Sequence, residues 1–111
     1  MKTMTVNELI NALGLEELAV TERDRVIEGA YAGDLLSWVM GRAQPGNCWV
    51  TIMTNINTLA VASLLDLACV IICENSEVTD ELVSAAVSKG LNLLRTGMSE
   101  YEACVALGKV L

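Results

Sequence analysis

The first helix of the chain is marked by apolar side chains that recur at helical spacing from Val6 to Leu13. Thr5 and Glu8 have the spacing of a capping box, in which each side chain bonds the other residue's backbone N–H. Gly14 can then end the helix in a left-handed conformation. Together these signals predict a short helix between Thr5 and Gly14.

Residues 18–46 show weaker periodicity and stronger turn chemistry. Leu18 to Val20 predicts a brief strand, and the charged residues at 22–25 predict a turn that leads into a glycine-containing strand over 26–33. Asp34 is a candidate N-cap for a short helix that Gly41 would end. Residues 44–47 have the proline and glycine of a turn.

From Cys48 onward the pattern alternates between apolar strands and capped helices. Continuous apolar strands separated by helices are typical of a parallel sheet covered on both faces. We therefore predict an α/β fold: a single three-layer domain over residues 1–111, with a mostly parallel sheet flanked by helices. The predicted strands are 48–53, 68–73 and 91–94, and the predicted helices are 58–66, 80–89 and the segment after Ser99.

Composition excludes several classes of protein. The chain is 53% hydrophobic and 19% charged, which is incompatible with disorder. Its net charge of −7 repels phosphate backbones and anionic headgroups, so we expect no nucleic-acid or membrane partner. The first residues lack the pattern of a signal peptide, and the four cysteines lie in apolar surroundings, as buried reduced thiols do. A cytoplasmic location is the expectation.

The sequence contains few of the residues and motifs that are typical of enzymes. The absence of histidine removes the usual general base and the commonest metal ligand. Gly41 and Gly46 have the spacing of a phosphate loop, but Asn47 and Cys48 replace its lysine and hydroxyl residue. We expect no enzyme activity, cofactor or metal, with a small enzyme of unknown reaction as an alternative.

Two polar segments are candidates for ligand binding. Thr54, Asn55 and Asn57 lie between a predicted strand and the next helix, where α/β sheets bind ligands and helix N-termini attract anions. Arg95 and Thr96 follow the last strand and would approach the same edge, where the guanidinium could bind a carboxylate or phosphate. Helix capping by the asparagines and a surface salt bridge for Arg95 are the structural alternatives.

Aromatic side chains are few, and Tyr31, Trp38 and Trp49 are three of the four. Their apolar neighbours favour core positions. An interface with a partner is the alternative, because tryptophan and tyrosine anchor such contacts.

Several segments resemble successive blocks of the DRTGG domain family. The resemblance runs through residues 24–41 (DRVIEGAYAGDLLSWVMG), 43–52 (AQPGNCWVTI), 60–64 and 93–96, and so covers most of the chain. The literal Asp-Arg-Thr-Gly-Gly string is absent, and Asp24-Arg25 and Arg95-Thr96-Gly97 each match part of it. The matching motif positions in the first block are Asp24, Arg25, Gly29, Tyr31 and Asp34.

This resemblance implies a fold similar to the N-terminal domain of HPr kinase/phosphorylase, without the kinase domain. Family members accompany CBS pairs or phosphate acetyltransferase domains as regulatory or dimerising modules. The resemblance therefore implies a non-catalytic regulatory or ligand-sensing module, working as a homodimer and taking a small anionic or nucleotide ligand. Stand-alone members are often encoded near iron-hydrogenase subunits, so an accessory structural subunit of such a redox complex is the alternative.

Overall fold

A computed structural model describes residues 3–111 of the chain. Met1 and Lys2, which begin the segment where we expect no signal peptide, lie outside the described residues. The elements, in chain order, are β1 (Met4–Thr5), α1 (Val6–Leu13), β2 (Glu16–Val20), β3 (Val26–Ile27), β4 (Gly29–Ala32), α2 (Leu36–Arg42), β5 (Asn47–Thr51), α3 (Ile56–Leu64), β6 (Cys69–Ile72), α4 (Asp80–Ser88), β7 (Asn92–Arg95) and α5 (Glu100–Val110).

Five strands form the central sheet in the order β2-β7-β6-β5-β4. The pairs β4–β5, β5–β6 and β6–β7 are parallel, and β2 pairs antiparallel with β7 at one edge. A separate two-stranded ribbon joins β1 to β3. The predicted α/β fold with a mostly parallel sheet is confirmed.

Helices cover both faces of the sheet and create two cores. On one face, α1, α5 and the small ribbon pack on side chains such as Val50 and Ile71. On the other, α2, α3 and α4 pack on Trp49, Val70 and Leu93. Because alternate residues of a strand point to opposite faces, fully apolar strands such as β6 supply both cores.

Helix α3 spans Ile56–Leu64 rather than the predicted 58–66, with Asn55 as its N-cap. Several other predicted helix ends are confirmed. The capping box of Thr5 and Glu8 is present, and Gly14 ends α1 with a φ of 64°. Helix α4 begins at Asp80 as predicted, and Ser99 caps α5. These ends depend on bonds within a few residues, which a sequence pattern can specify.

The predicted ends of the short helix α2 are wrong. Its N-cap is Leu35, which makes no side-chain cap, because the carboxylate of Asp34 is bonded to Thr51 and Ile52 instead. Gly41 lies inside the helix, which continues to Arg42.

Two strand predictions also differ from the structure. β2 begins at Glu16 rather than Leu18, since pairing with β7 extends it. The predicted glycine-containing strand is divided into β3 and β4, which pair with different partners. Within residues 3–111, no helix is both long and apolar enough to cross a bilayer.

Candidate functional site

The carboxyl ends of β4, β5, β6 and β7 lie at one edge of the sheet, since these strands are parallel. In α/β proteins the loops at this edge bind ligands. Both of the predicted ligand-binding segments lie there, one after β5 and the other at the end of β7.

The first segment forms the N-terminus of α3. Asn55 is the N-cap, and its side-chain oxygen accepts the N–H groups of Asn57 at 2.9 Å and Thr58 at 3.3 Å. Thr54 lines a cavity of about 210 Å³ with Thr79 and the carboxylate-bearing Glu81. The helix N-terminus therefore already has a polar cap, and the adjoining cavity is smaller than the 300–1,000 Å³ typical of ligand pockets.

Arg95 is the last residue of β7 and is paired with Glu16 on β2. The guanidinium Nε and Nη2 lie 2.8 and 3.0 Å from the two carboxylate oxygens of Glu16, and Nη1 donates to the carbonyl of Ser76. The hydrogen bond from Arg95 lowers the pKa of Glu16. Thr96 is buried, and its hydroxyl oxygen accepts the N–H of Met98.

The segments 54–57 and 95–96 lie at the same edge of the sheet, but no polar contact joins them. β6 separates β5 from β7, which places their ends roughly 10 Å apart at the usual strand spacing. Among the described residues, no hydrogen bond or salt bridge joins Asn55 or Asn57 to Arg95. Arg95 pairs instead with β2, on the opposite side of β7 from β5.

The positions that match the DRTGG family motif lie in different parts of the structure. Arg25 binds Asp66 through two nitrogen–oxygen pairs at 3.0 and 3.2 Å, and Asp24 is exposed in the preceding turn. Gly29 and Tyr31 belong to β4. Of these positions, Asp34 alone lies in a loop at the carboxyl edge.

Asp34 joins a set of carboxyl groups at this edge. Its Oδ1 accepts the hydroxyl of Thr51 at 2.6 Å and the N–H of Ile52 at 3.0 Å. Partial burial alone would raise the pKa of Asp34, but hydrogen bonds from Glu100, Thr51 and Ile52 outweigh it and lower the pKa. Burial, together with the neighbouring carboxylates of Asp34 and Glu74, raises the pKa of Glu100 to about 7.

Glu100 is therefore a carboxyl group that gains or loses its proton near neutral pH. It occupies the first turn of α5, and in its protonated form it can donate to Asp34. Among residues 3–111, no three histidine, cysteine or acidic side chains are placed to hold a metal ion. The arrangement provides one exchangeable proton.

The four cysteines are free; Cys48, Cys69 and Cys73 are buried and Cys104 is half-buried. A hydrogen bond to Cys69, followed by burial, raises the pKa of Cys48. Burial and then the nearby Glu100 raise the pKa of Cys73 to about 12. Thiols that stay protonated at neutral pH are poor nucleophiles.

The loop after β6 has an unusual backbone. Glu74 and Asn75 have φ values of 62° and 50°, a region that non-glycine residues rarely adopt. Their N–H groups donate to the carbonyls of Met98 and Thr96, which fixes this loop against the one that follows β7. A Cβ atom added at Gly97 would lie 3.0 Å from the side-chain Nδ2 of Asn75, so the Asn75 side chain packs directly over this glycine.

The three aromatic residues have different environments. Trp49 is fully buried, and its indole N–H donates to the carbonyl of Gly33 at 2.9 Å. Tyr31 is half-buried. Trp38 is 54% exposed, with the Arg42 guanidinium 3.8 Å from the centre of its ring. The core interpretation is correct for Trp49 and wrong for Trp38.

Thr51, Glu74 and Glu100 are not among the site residues predicted from the sequence. Each had a local signal: Thr51 ends a buried strand, Glu74 lies two residues after one, and Glu100 opens a helix. Their approach to Asp34 depends on strand order, which the local pattern does not contain.

A larger groove lies between α1 and α5, on the face of the sheet opposite α2, α3 and α4. Its volume is about 450 Å³, and its lining is mainly apolar but includes Tyr101, Glu102 and Lys109. Tyr101 is 77% exposed and could stack on a base, and Lys109, about two helical turns further along α5, could pair with a phosphate, so this groove is a second candidate site.

Comparison with known proteins supports the fold. No family model matches the sequence, and a search of curated proteins finds no match. One similar solved structure contains the CBS and DRTGG domains of the regulatory region of Clostridium perfringens pyrophosphatase, complexed with the activator diadenosine tetraphosphate. The two structures align with a TM-score of 0.77 and 12% identity, over 93% of this chain and 45% of that chain. The chain thus spans less than half of that neighbour and has a DRTGG-like fold.

Proposed function

We propose that this chain is a non-catalytic regulatory module that binds a small nucleotide or related anion and works as a homodimer. The observation that carries the proposal is the structural likeness, with a TM-score of 0.77, to a regulatory region whose activator is a dinucleotide. The proposed binding residues are Thr54, Asn55, Asn57, Arg95 and Thr96.

Binding at this edge requires Arg95 to exchange partners. Its guanidinium is bonded to the exposed Glu16, and exposed pairs contribute little to stability, so a phosphate can compete for the same nitrogen atoms. The carboxyl groups of Asp34, Glu74 and Glu100 oppose an anion when ionised. Affinity should therefore fall as the pH rises through about 7, where Glu100 loses its proton.

Calorimetric titration with adenine nucleotides, diadenosine tetraphosphate and phosphorylated metabolites tests the proposal. We expect saturable binding that Arg95→Ala and Asn55→Ala each weaken about tenfold or more, as expected when a charged hydrogen bond is lost. Arg23→Ala is the matched control, because Arg23 forms a similar exposed pair with Glu17.

The same titrations distinguish the other sites and roles. Tight binding that survives the double variant Arg95→Ala, Asn55→Ala but is lost in Tyr101→Ala would place the ligand in the groove between α1 and α5. No binding, together with fixed-stoichiometry co-purification with a redox enzyme subunit, would replace the proposal with the accessory-subunit alternative.

A further inference from the structure

The outer face of α3 carries no charge, and its centre is an apolar stripe that runs between the exposed polar residues Asn57 and Ser63. Ile56 and Leu64 are 55% and 70% exposed, and Ala60 lies exposed midway between them, four residues from each. The opposite face of the helix, which includes Leu59 and Val61, is buried against the sheet. Because the inner face is already buried, the exposed apolar stripe is free to contact a partner.

This apolar surface extends beyond α3. We define the α2–α3 face by its exposed large apolar side chains, which are 43–70% exposed: Leu35, Trp38, Met40, Ile52, Ile56 and Leu64. α2 packs beside α3, and α4 packs on the other side of α3, so the α3 stripe is central in this helical layer.

The exposed area of this face can be compared with that of a protein interface. At about 200 Å² for a fully exposed large side chain, the six residues expose roughly 600 Å² in total. Trp38 and Met40 are two positions apart in α2 and point to different sides of that helix, so a partner covers part of this total and needs polar contacts around it to reach the roughly 800 Å² of a standard interface.

The charge distribution indicates which partner fits. The chain has 14 acidic residues, but none occurs between Asp34 and Asp66, and Arg42 is the one charged residue in that interval. Glu81 of α4 lines a cavity with Ile56, so this surface is poor in carboxylates, with acids at the margin next to α4. Two copies with a net charge of −7 repel each other least where both surfaces carry few carboxylates. A second copy of the chain can therefore approach through the α2–α3 face.

The spacing along α3 is also self-complementary. A two-fold axis that crosses α3 at Ala60 makes the two copies of the helix antiparallel and brings Ile56 against the partner's Leu64. The small side chain of Ala60 allows the helix axes to approach to about 8 Å at the crossing point. The same axis places α2 opposite the α2 helix of the second copy, where the exposed Trp38 would also be covered.

We propose that the homodimer forms through the α2–α3 face, with its two-fold axis at Ala60. This inference rests on the proposed function, which includes a homodimer. It adds which surface forms the dimer interface and where the two-fold axis lies.

Charge substitution at the axis tests this arrangement. Sedimentation equilibrium at micromolar concentrations should show twice the chain mass of 11.9 kDa for the wild type. Ala60→Glu and Ala60→Lys should each raise the dimer dissociation constant roughly 100-fold or more, because like charges would meet at the axis. An equimolar mixture of the two variants should restore the dimer at low salt, because the opposite charges then meet.

Val105→Glu is the matched control. Val105 is also an exposed apolar residue on a helix, at 41%, but it belongs to α5 on the opposite face of the sheet. This variant should remain dimeric. Circular dichroism verifies the folding of each variant, and Leu64→Glu tests the same contact if a change at Ala60 impairs folding.

Three results would overturn the inference: a wild-type monomer, a dimer that persists in Ala60→Glu, or a mixture of charge variants that stays monomeric. Each is distinguishable from failure of ligand binding, because nucleotide titration can be repeated on the same variants. A dimer that persists in Ala60→Glu would leave the homodimer intact and place it on another surface.

Discussion

Replacing Glu100 with glutamine should stabilise the protein at alkaline pH and leave it unchanged in mild acid. In the folded chain, burial and the carboxylates of Asp34 and Glu74 raise the pKa of Glu100 from 4.5 to about 7. Between these values the folded state holds a proton that the unfolded chain has released. The free energy of unfolding therefore falls as the pH rises through this window, and the loss is complete above about pH 7.

The size of the effect follows from the shift and from the position of the group. A full shift from 4.5 to about 7 corresponds to roughly 3 kcal/mol. Glu100 is half-buried, so solvent screening reduces this value. The ionised carboxylate in the first turn of α5 also interacts favourably with the helix dipole, and glutamine loses that interaction, which reduces the gain further. We expect Glu100→Gln to be about 1 kcal/mol more stable than the wild type at about pH 8 and nearly equal to it at about pH 4, below the unfolded pKa of 4.5.

Urea unfolding followed by circular dichroism, repeated across this pH range, measures the difference. Glutamine keeps a side-chain donor for Asp34, so the comparison isolates ionisation. Glu81→Gln provides the control, because Glu81 is an exposed acid in the first turn of α4. Parallel pH profiles for Glu100→Gln and the wild type would refute the reasoning.

Two further predictions concern the fold. Asn92 is buried and makes four hydrogen bonds with the backbone, to the N–H groups of residues 21 and 22 and the carbonyls of residues 22 and 68, so Asn92→Ala should lower the free energy of unfolding by about 3 kcal/mol. Asn11→Ala is the control, because Asn11 is exposed and its replacement should change the free energy of unfolding little. If Asn92→Ala lowered the free energy of unfolding no more than Asn11→Ala does, the four hydrogen bonds of Asn92 would contribute little to stability. Thr5→Ala removes the cap of α1 and should cost about 1 kcal/mol in urea unfolding; an unchanged midpoint would contradict the role of the capping box.

Features determined by neighbouring residues could be predicted from the sequence. The capping box at Thr5, the left-handed Gly14 and the cap at Ser99 each depend on contacts within a few residues. The buried parallel strands could also be predicted, because β5 and β6 are apolar on both faces.

Features determined by distant residues could not. The sequence pattern predicts Asp34 as a helix cap, but strand pairing places Thr51 and Ile52 beside it. Its carboxylate accepts their hydrogen bonds and does not cap the helix. The pairing of Arg95 with Glu16 likewise follows from an antiparallel register across 79 positions of the chain. The candidate site could therefore be predicted as an edge of the sheet, whereas its carboxyl cluster could not.

One measurement tests most directly the claim that the chain binds a regulatory ligand without transforming it. The purified protein is titrated with the nucleotide panel by calorimetry, and the same samples are then separated by anion-exchange chromatography. We predict saturable binding of at least one nucleotide and its complete recovery in unaltered form. Conversion of a nucleotide that a single side-chain substitution abolishes, or an absence of binding across the panel, would contradict it.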